Sequence, residues 1–389
     1  MLMQQRAMAL LTLAALVAGC GKAAVTARPV ATATLAAQEA PMEGLDGDDR
    51  AVFHRGTPMP VPPGRAGRWL LVSNHNHSTY WDGEKPLPLM QSEAYLAQFD
   101  AMVLTDHNTM RGCESPEFKA PPHGLIMVRG MEWGAFRENG EDVVGHAGLL
   151  GMSGIDGPPT GAGLDGMLGE ATARNATVII NHPFCWHNTW AQPKPDPRAH
   201  AVEVWNGWWY RVNPIMHNDQ ALGWWQDALK EGRHLAAVSG TDNHGDNIGN
   251  IARNANLVYA ETPDEAGILA GIRAGRVSIT SSPTAGRLFL EADADGDGVY
   301  ETIMGETLPH AGKVAVRARV LGGAGKSVCF YTAKGRVAIA AVKSNDATIP
   351  LTAELTAPHD FVRAELRAHP HLSFSMTAVS NPIYGPAAL

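Results

Sequence analysis

Residues 69–77 read WLLVSNHNH, an unbroken apolar run that ends in two histidines, His75 and His77, one residue apart. A short continuous apolar run is the mark of a strand buried on both faces. The same grammar recurs along the chain. AMVL (101–104) is followed by TDH with His107, and LIMV (125–128) by RGMEW with Glu132. TVII (177–180) leads into NHP with His182, and LAAVS (235–239) into GTDNH with Asp242 and His244. AGLLG (147–151) and AVEVW (201–205) complete seven predicted strands. Helix-length segments at 89–99, 164–175 and 218–231 lie between several of them, so the alternation predicts an α/β barrel or an open parallel sheet.

In a parallel barrel the C-terminal strand ends converge on one face, which would bring these side chains together. A lone histidine near a strand is usually structural, but here six of the 16 histidines fall into one set. They are accompanied by Asp82, Glu132 and Asp242. His146 fits less well, because it precedes its apolar run. Imidazole and carboxylate ligands without cysteine favour open, hydrated sites for Zn, Mn or Fe over a closed structural zinc site. Such ions make hydroxide from water at neutral pH and polarise a facing substrate oxygen. Asp106, beside His107, reads equally as a carboxylate that orients a ligating imidazole and as a strand-end cap.

HNHSTYWDG, VLTDHN, the glutamate after the third strand, GHAGLLG, INHP and GTDNH, in that order and spacing, resemble the polymerase-and-histidinol-phosphatase (PHP) superfamily. The EVWN segment at 203–206, the β-rich C-terminus and the closing SNPIYG look like its carbaryl-hydrolase branch. The resemblance implies a distorted (β/α)7 barrel. It also implies that His75, His77 and Asp242 bind a first metal, that Glu132 bridges to a second held by His146 and His182, and that Asp82, His107 and His244 hold a third. Two or three divalent ions are therefore expected. Trp81 stands where a small serine is common in the family, a change at the pocket rim.

Outside the ligands, His187 and His217 are candidate proton donors to a leaving group, since imidazole titrates near neutral pH. Trp205 and Asn206 are candidate substrate contacts, within an aromatic cluster that also holds Trp186, Trp190, Trp208, Trp209 and Tyr210. The chemistry expected is hydrolysis of a small-molecule ester, with a phosphoester leading and a carbamate or carboxylic ester second. A non-catalytic metal-containing surface binding protein is the third reading.

Changes of texture divide the remainder. After Pro283, alternation in KVAVRARV (313–320) and FVRAEL (361–366) predicts half-buried antiparallel strands, read as a small β-sandwich over 284–389 that follows a 66–283 barrel. Asp293, Asp295, Asp297 and Gly298 match the first offsets of a calcium loop. However, Met304 takes the place of the bidentate glutamate, which favours a polar turn. With 389 residues, 45% hydrophobic and 18% charged, the chain can bury a large core. A net charge of −8, with no block of Lys and Arg, gives no reason to expect nucleic acid or an anionic membrane surface as a partner.

The N-terminus has a different logic. Arg6, the apolar stretch 7–17 and VAGC ending at Cys20 resemble a bacterial lipoprotein signal, too short to span a bilayer. Residues 1–20 read as signal and lipidated Cys20, and residues 21–65 as a flexible tether. Gly21 directs the expected anchor to the outer membrane, facing the periplasm. Three further cysteines remain, an odd number, with a Cys113–Cys185 bridge and free thiols both open.

Overall fold

The computed structural model describes residues 53, 56–136, 142–158, 163–186, 188–207, 217–245, 250–372 and 375–387. Cys20 and the signal-like start lie outside the described residues, as do His187, Trp208, Trp209 and Tyr210.

All seven predicted strands form: β1 (Arg68–Asn76), β2 (Ala101–Leu104), β3 (Ile126–Phe136), β4 (Asp142–Leu150), β5 (Thr177–Ile180), β6 (Ala201–Asn206) and β7 (Ala236–Gly240). β2, β5, β6 and β7 are buried along their whole length, as continuous apolar runs require when both faces are covered. The helices α1 (Leu87–Leu96), α2 (Pro116–Lys119), α3 (Gly163–Ala173), α4 (Asn218–Lys230) and α5 (Glu265–Arg273) lie between or after them. In α4 the buried Ala221, Trp225, Ala228 and Leu229 recur at helical spacing, giving it a single inward stripe. None of the described helices is long and apolar enough to cross a membrane.

The sheet corrects the expectation of an all-parallel barrel. β1–β2–β3 and β5–β6–β7 pair in parallel, but β4 runs antiparallel to both β3 and β5. The connection from β3 to β4 covers only 137–141, and a parallel return needs a crossover of about a dozen residues or more. The first and last strands of the seven meet just past their ends. Thr241 N donates to Asn74 O at 2.9 Å, His77 N to Asn243 O at 2.9 Å and Asn243 N to His75 O at 3.3 Å.

Two strands not foreseen, β8 (Ala255–Ala260) and β9 (Val277–Thr280), add to the other edge of β1 with antiparallel pairing. The remaining strands are β10 (Arg287–Asp293), β11 (Thr302–Ile303), β12 (Gly312–Leu321), β13 (Ser327–Thr332), β14 (Gly335–Ala341), β15 (Asp346–Leu355), β16 (Phe361–Arg367), β17 (Met376–Ser380) and β18 (Ile383–Tyr384). β11-β10-β12-β15 form a four-stranded antiparallel sheet with the predicted alternation on β12. β17, β16, β13 and β14 instead continue the large sheet outward from β9. Asn381 locks this junction: its amide donates to Ala237 O and Val277 O and accepts from Ala237 N, tying the C-terminal segment to β7 and β9. The result is a mixed α/β fold with one large parallel and antiparallel sheet.

Candidate metal centre

The ends of β1, β3 and β7 bring the first group of side chains, His75, His77, Glu132 and Asp242, together. His75 Nε2 lies 3.1 Å from Glu132 Oε2 and 3.4 Å from Asp242 Oδ1, while His77 Nε2 lies 3.3 Å and 3.5 Å from the same two oxygens. His75, His77 and Glu132 are all buried. Among the described residues, neither His75 Nε2 nor either ring nitrogen of His77 has a hydrogen-bond partner. Ligands held about 2.1 Å from one ion are about 3.0–3.4 Å from one another in octahedral or tetrahedral geometry. The separations seen are therefore those of atoms around a common cation, and the lone pairs are left available for it.

Glu132 is the hub. Its Oε2 faces His75, His77 and His107 (3.4 Å), and its Oε1 faces His146 Nδ1 at 3.1 Å and His182 Nε2 at 3.0 Å. A more open group stands beside it: Asp82 Oδ2 is 3.7 Å from His107 Nε2 and 3.4 Å from His244 Nε2, and Asp82 Oδ1 is 3.5 Å from His77 Nδ1. Among the described residues, three groups of ligand-type side chains at this site could hold a metal: His75–His77–Glu132–Asp242, His77–Asp82–His107–His244, and His107–Glu132–His146. Eight of the nine predicted ligands fall in these groups, with His77, His107 and Glu132 shared between them, and the ninth, His182, joins through Glu132 Oε1. The antiparallel β4 explains His146. Because that strand runs backwards, its first half lies at the end where its neighbours finish, and His146 pairs with Gly134.

Local backbone serves the site. His75, His182 and Asp242 adopt left-handed φ values of 66°, 25° and 51°. Each such non-glycine residue costs about 1–3 kcal/mol and persists only where surroundings impose it. Thr241 Oγ1 donates to His75 O at 2.8 Å, alongside the Asn243 amide. A turn over residues 78–83, with Trp81 N and Gly83 N both donating to Ser78 O, returns Asp82 over His77. Gly83 permits the approach, since a Cβ there would stand 2.2 Å from His77 O. Asp106 belongs to this turn: its carboxylate accepts from Ser78 N at 2.6 Å and from Ser78 Oγ, so it caps the loop.

The charges record the same design. Burial opposes ionisation of Glu132 and Asp242, yet His75 and the neighbouring imidazoles hold both carboxyls well below the usual range. Burial works against charge on His75 too, but Glu132, Glu203 and Asp242 raise it well above an ordinary imidazole. His244 is held at about 9 by Asp82 and Asp242 against its burial, whereas burial drives His107 down to about 4. Without a cation, protons gather among these carboxylates, and metal uptake must displace them.

No family model matches the chain, and no curated protein matches it. Among solved structures it is similar to a two-domain protein containing a predicted PHP-like metal-dependent phosphoesterase from Bacteroides vulgatus ATCC 8482. That likeness has 16% identity over 85% of this chain and 100% of the other, with a TM-score of 0.47. It is also similar to an amidohydrolase from Chromobacterium violaceum with bound sulfate and no metal, at 16% identity over 46% of this chain and 89% of the other, TM-score 0.33. Identities this low carry no activity across.

Trp205, Asn206 and His217 are not among the metal-ligand groups. Trp205 is buried in the hydrophobic core. Asn206 is fully buried and donates its amide to Glu203 Oε2 at 2.8 Å, while its backbone N and O are held by the Asn218 amide. Its side-chain amide thus serves Glu203. His217 sits in a left-handed conformation at the start of α4, and no hydrogen bond or ion pair among the described residues joins it to the nine ligands. No disulfide links Cys113 to Cys185: Cys113 Sγ faces Gly130 O, and burial raises its thiol to about 12.

Asp293, Asp295 and Asp297, joined by Glu301, do cluster. Their oxygens already accept from the backbone of the same turn, including Gly296 N, Gly298 N and Val299 N. Met304 is buried, not a ligand. The residue the sequence reading missed is Glu203. Its signal was available: a glutamate inside an otherwise apolar strand run.

Proposed function

We propose that the chain is a metal-dependent hydrolase of small-molecule ester bonds, with a phosphoester as the leading substrate class. The observation that carries this is the ring of imidazole nitrogens around Glu132, buried, aimed inward and, at His75 Nε2 and both nitrogens of His77, without a hydrogen-bond partner among the described residues. The likeness of the ligand motifs to the PHP superfamily supports the same reading. Divalent ions bound here would acidify water and stabilise negative charge on a substrate oxygen. His75, His77, Glu132 and Asp242 would hold one ion, His146 and His182 with Glu132 a second, and Asp82, His107 and His244 a third.

The protein's own contribution is placement. Strand ends fix the ligands, burial lowers the local dielectric and strengthens their fields, and the more exposed Asp82 and His244 leave an open side for substrate. A second reading, an aryl carbamate or carboxylic ester, is favoured by Trp81 and Trp186. They are 59% and 61% exposed, and each lies close in sequence to a ligand, Asp82 and His182. The lipoprotein-like pattern of residues 1–20 supports an envelope-tethered enzyme.

The deciding experiment loads purified protein with Zn²⁺ or Mn²⁺ and compares aryl phosphates with aryl carbamates before and after chelation. Phosphate hydrolysis abolished by chelation supports the leading reading. Turnover of carbamates alone would replace it with the second. No turnover of either, with chelation lowering only the melting temperature, would reject the enzyme.

A further inference from the structure

Glu203 lies on β6 with its side chain fully buried, and it touches three groups. His75 Nδ1 is 2.8 Å from Oε1, His182 N donates to Oε2 at 3.1 Å, and Asn206 Nδ2 donates to Oε2 at 2.8 Å. Turning the Asn206 amide round would set its oxygen against that carboxylate, so the nitrogen is correctly placed there. Opposite on β7, a Cβ at Gly240 would stand 2.0 Å from Glu203 Oε1, so the strand is cut away to admit this one carboxylate.

We infer that Glu203 is a positioning residue for the metal centre, acting on two ligands at once. This rests on the metal-centre reading above. As acceptor for Nδ1–H it fixes the His75 tautomer, leaving the Nε2 lone pair aimed at Glu132 and Asp242. As acceptor for the His182 amide it holds that residue in its strained left-handed turn, with Nε2 on Glu132 Oε1. All of its neighbours are donors, so only a group that accepts at both oxygens serves. Glutamine cannot. If its oxygen takes Nδ1–H of His75, its NH₂ confronts the His182 and Asn206 donors. If it is reversed, it donates to His75 Nδ1 and drives the proton onto Nε2, the ligating atom.

The test follows the ¹⁵N-labelled histidine rings of the full chain by NMR, with His75 assigned through His75→Asn. Zn²⁺ binding is followed by calorimetry. In metal-free wild type, at a pH past the titration of His75, the ring should carry its proton on Nδ1. Glu203→Gln should mix or invert the tautomer and weaken Zn²⁺ binding about 10–100-fold. Glu365→Gln, which alters a buried carboxylate elsewhere, should leave both unchanged. A wild-type His75 protonated on Nε2 would overturn the inference, whether or not the variant folds. So would Glu203→Gln with unchanged tautomer and affinity. Wild type that takes up no Zn²⁺ rejects the metal centre, while the tautomer still judges Glu203 by itself.

Discussion

Two glutamates, Glu132 on β3 and Glu365 on β16, are buried to the same depth, each with 1% of its side chain exposed, yet they are compensated in different ways. Glu365 is clamped by Arg363 Nη1 at 2.7 Å and Arg367 Nε at 2.6 Å. Arg363 in turn donates to Gln226 on α4 and stacks 5.1 Å from the Trp225 ring. Guanidinium is a permanent cation without a lone pair, so this network is closed and structural. Glu132 faces five imidazoles, and each can surrender its proton and offer a lone pair. Burial opposes ionisation in both cases, and both carboxyls are nonetheless held low, by His75, His146 and His107 in one and by Arg363 and Arg367 in the other. A buried carboxylate by itself therefore says little. Whether its partners can exchange a proton for a metal decides its role.

Four changes should break or sharpen that contrast. The largest effect is expected from Glu132→Gln. Losing the shared ligand forfeits several kcal/mol of charge stabilisation, or about 10³-fold in kcat/KM at 1.36 kcal/mol per decade. Elemental analysis should show lowered metal content, and unchanged content would refute the hub role. Glu365→Ala should do the reverse. Uncompensated buried arginines cost about 3–5 kcal/mol, read as a lower denaturation midpoint, with metal stoichiometry intact.

Third, metal affinity should rise with pH up to about 9, by about tenfold per unit for each proton displaced. The sign follows from His244, whose folded-state value of about 9 exceeds that of a free imidazole. In metal-free protein its contribution to stability is full below about 6.5 and is lost as pH rises through about 9. Thermal melts with and without Zn²⁺ should diverge as pH increases, and parallel curves would contradict this. The smallest effect is expected at the acidic turn: Asp297→Ala should change stability by no more than about 0.5 kcal/mol and leave the metal count unaltered.

The ligand set was legible because most of its side chains follow an apolar run, and seven runs became seven strands. The sheet's direction was less legible. Apolar runs carry no arrow, and the one clue was His146, which precedes its run because β4 is reversed. β8 and β9 went unread because NLVYA and VSIT end in no ligand and carry no chemical mark. The merging of β17 with β9 is a long-range pairing that Asn381 fastens, and no local pattern announces it. Glu203 and Asn206 were quoted as a motif, but their mutual bond and the tie to His75 appear only once β6 sits beside β1's end.

The central claim is tested most directly by diffraction from crystals of Zn²⁺-loaded protein, with anomalous data collected at the zinc edge. The account predicts at least two peaks, one within about 2.0–2.2 Å of His75 Nε2, His77 Nε2 and carboxylate oxygens of Glu132 and Asp242. A crystal soaked in Zn²⁺ that shows no peak beside Glu132, with the imidazole ring around it intact, would contradict it.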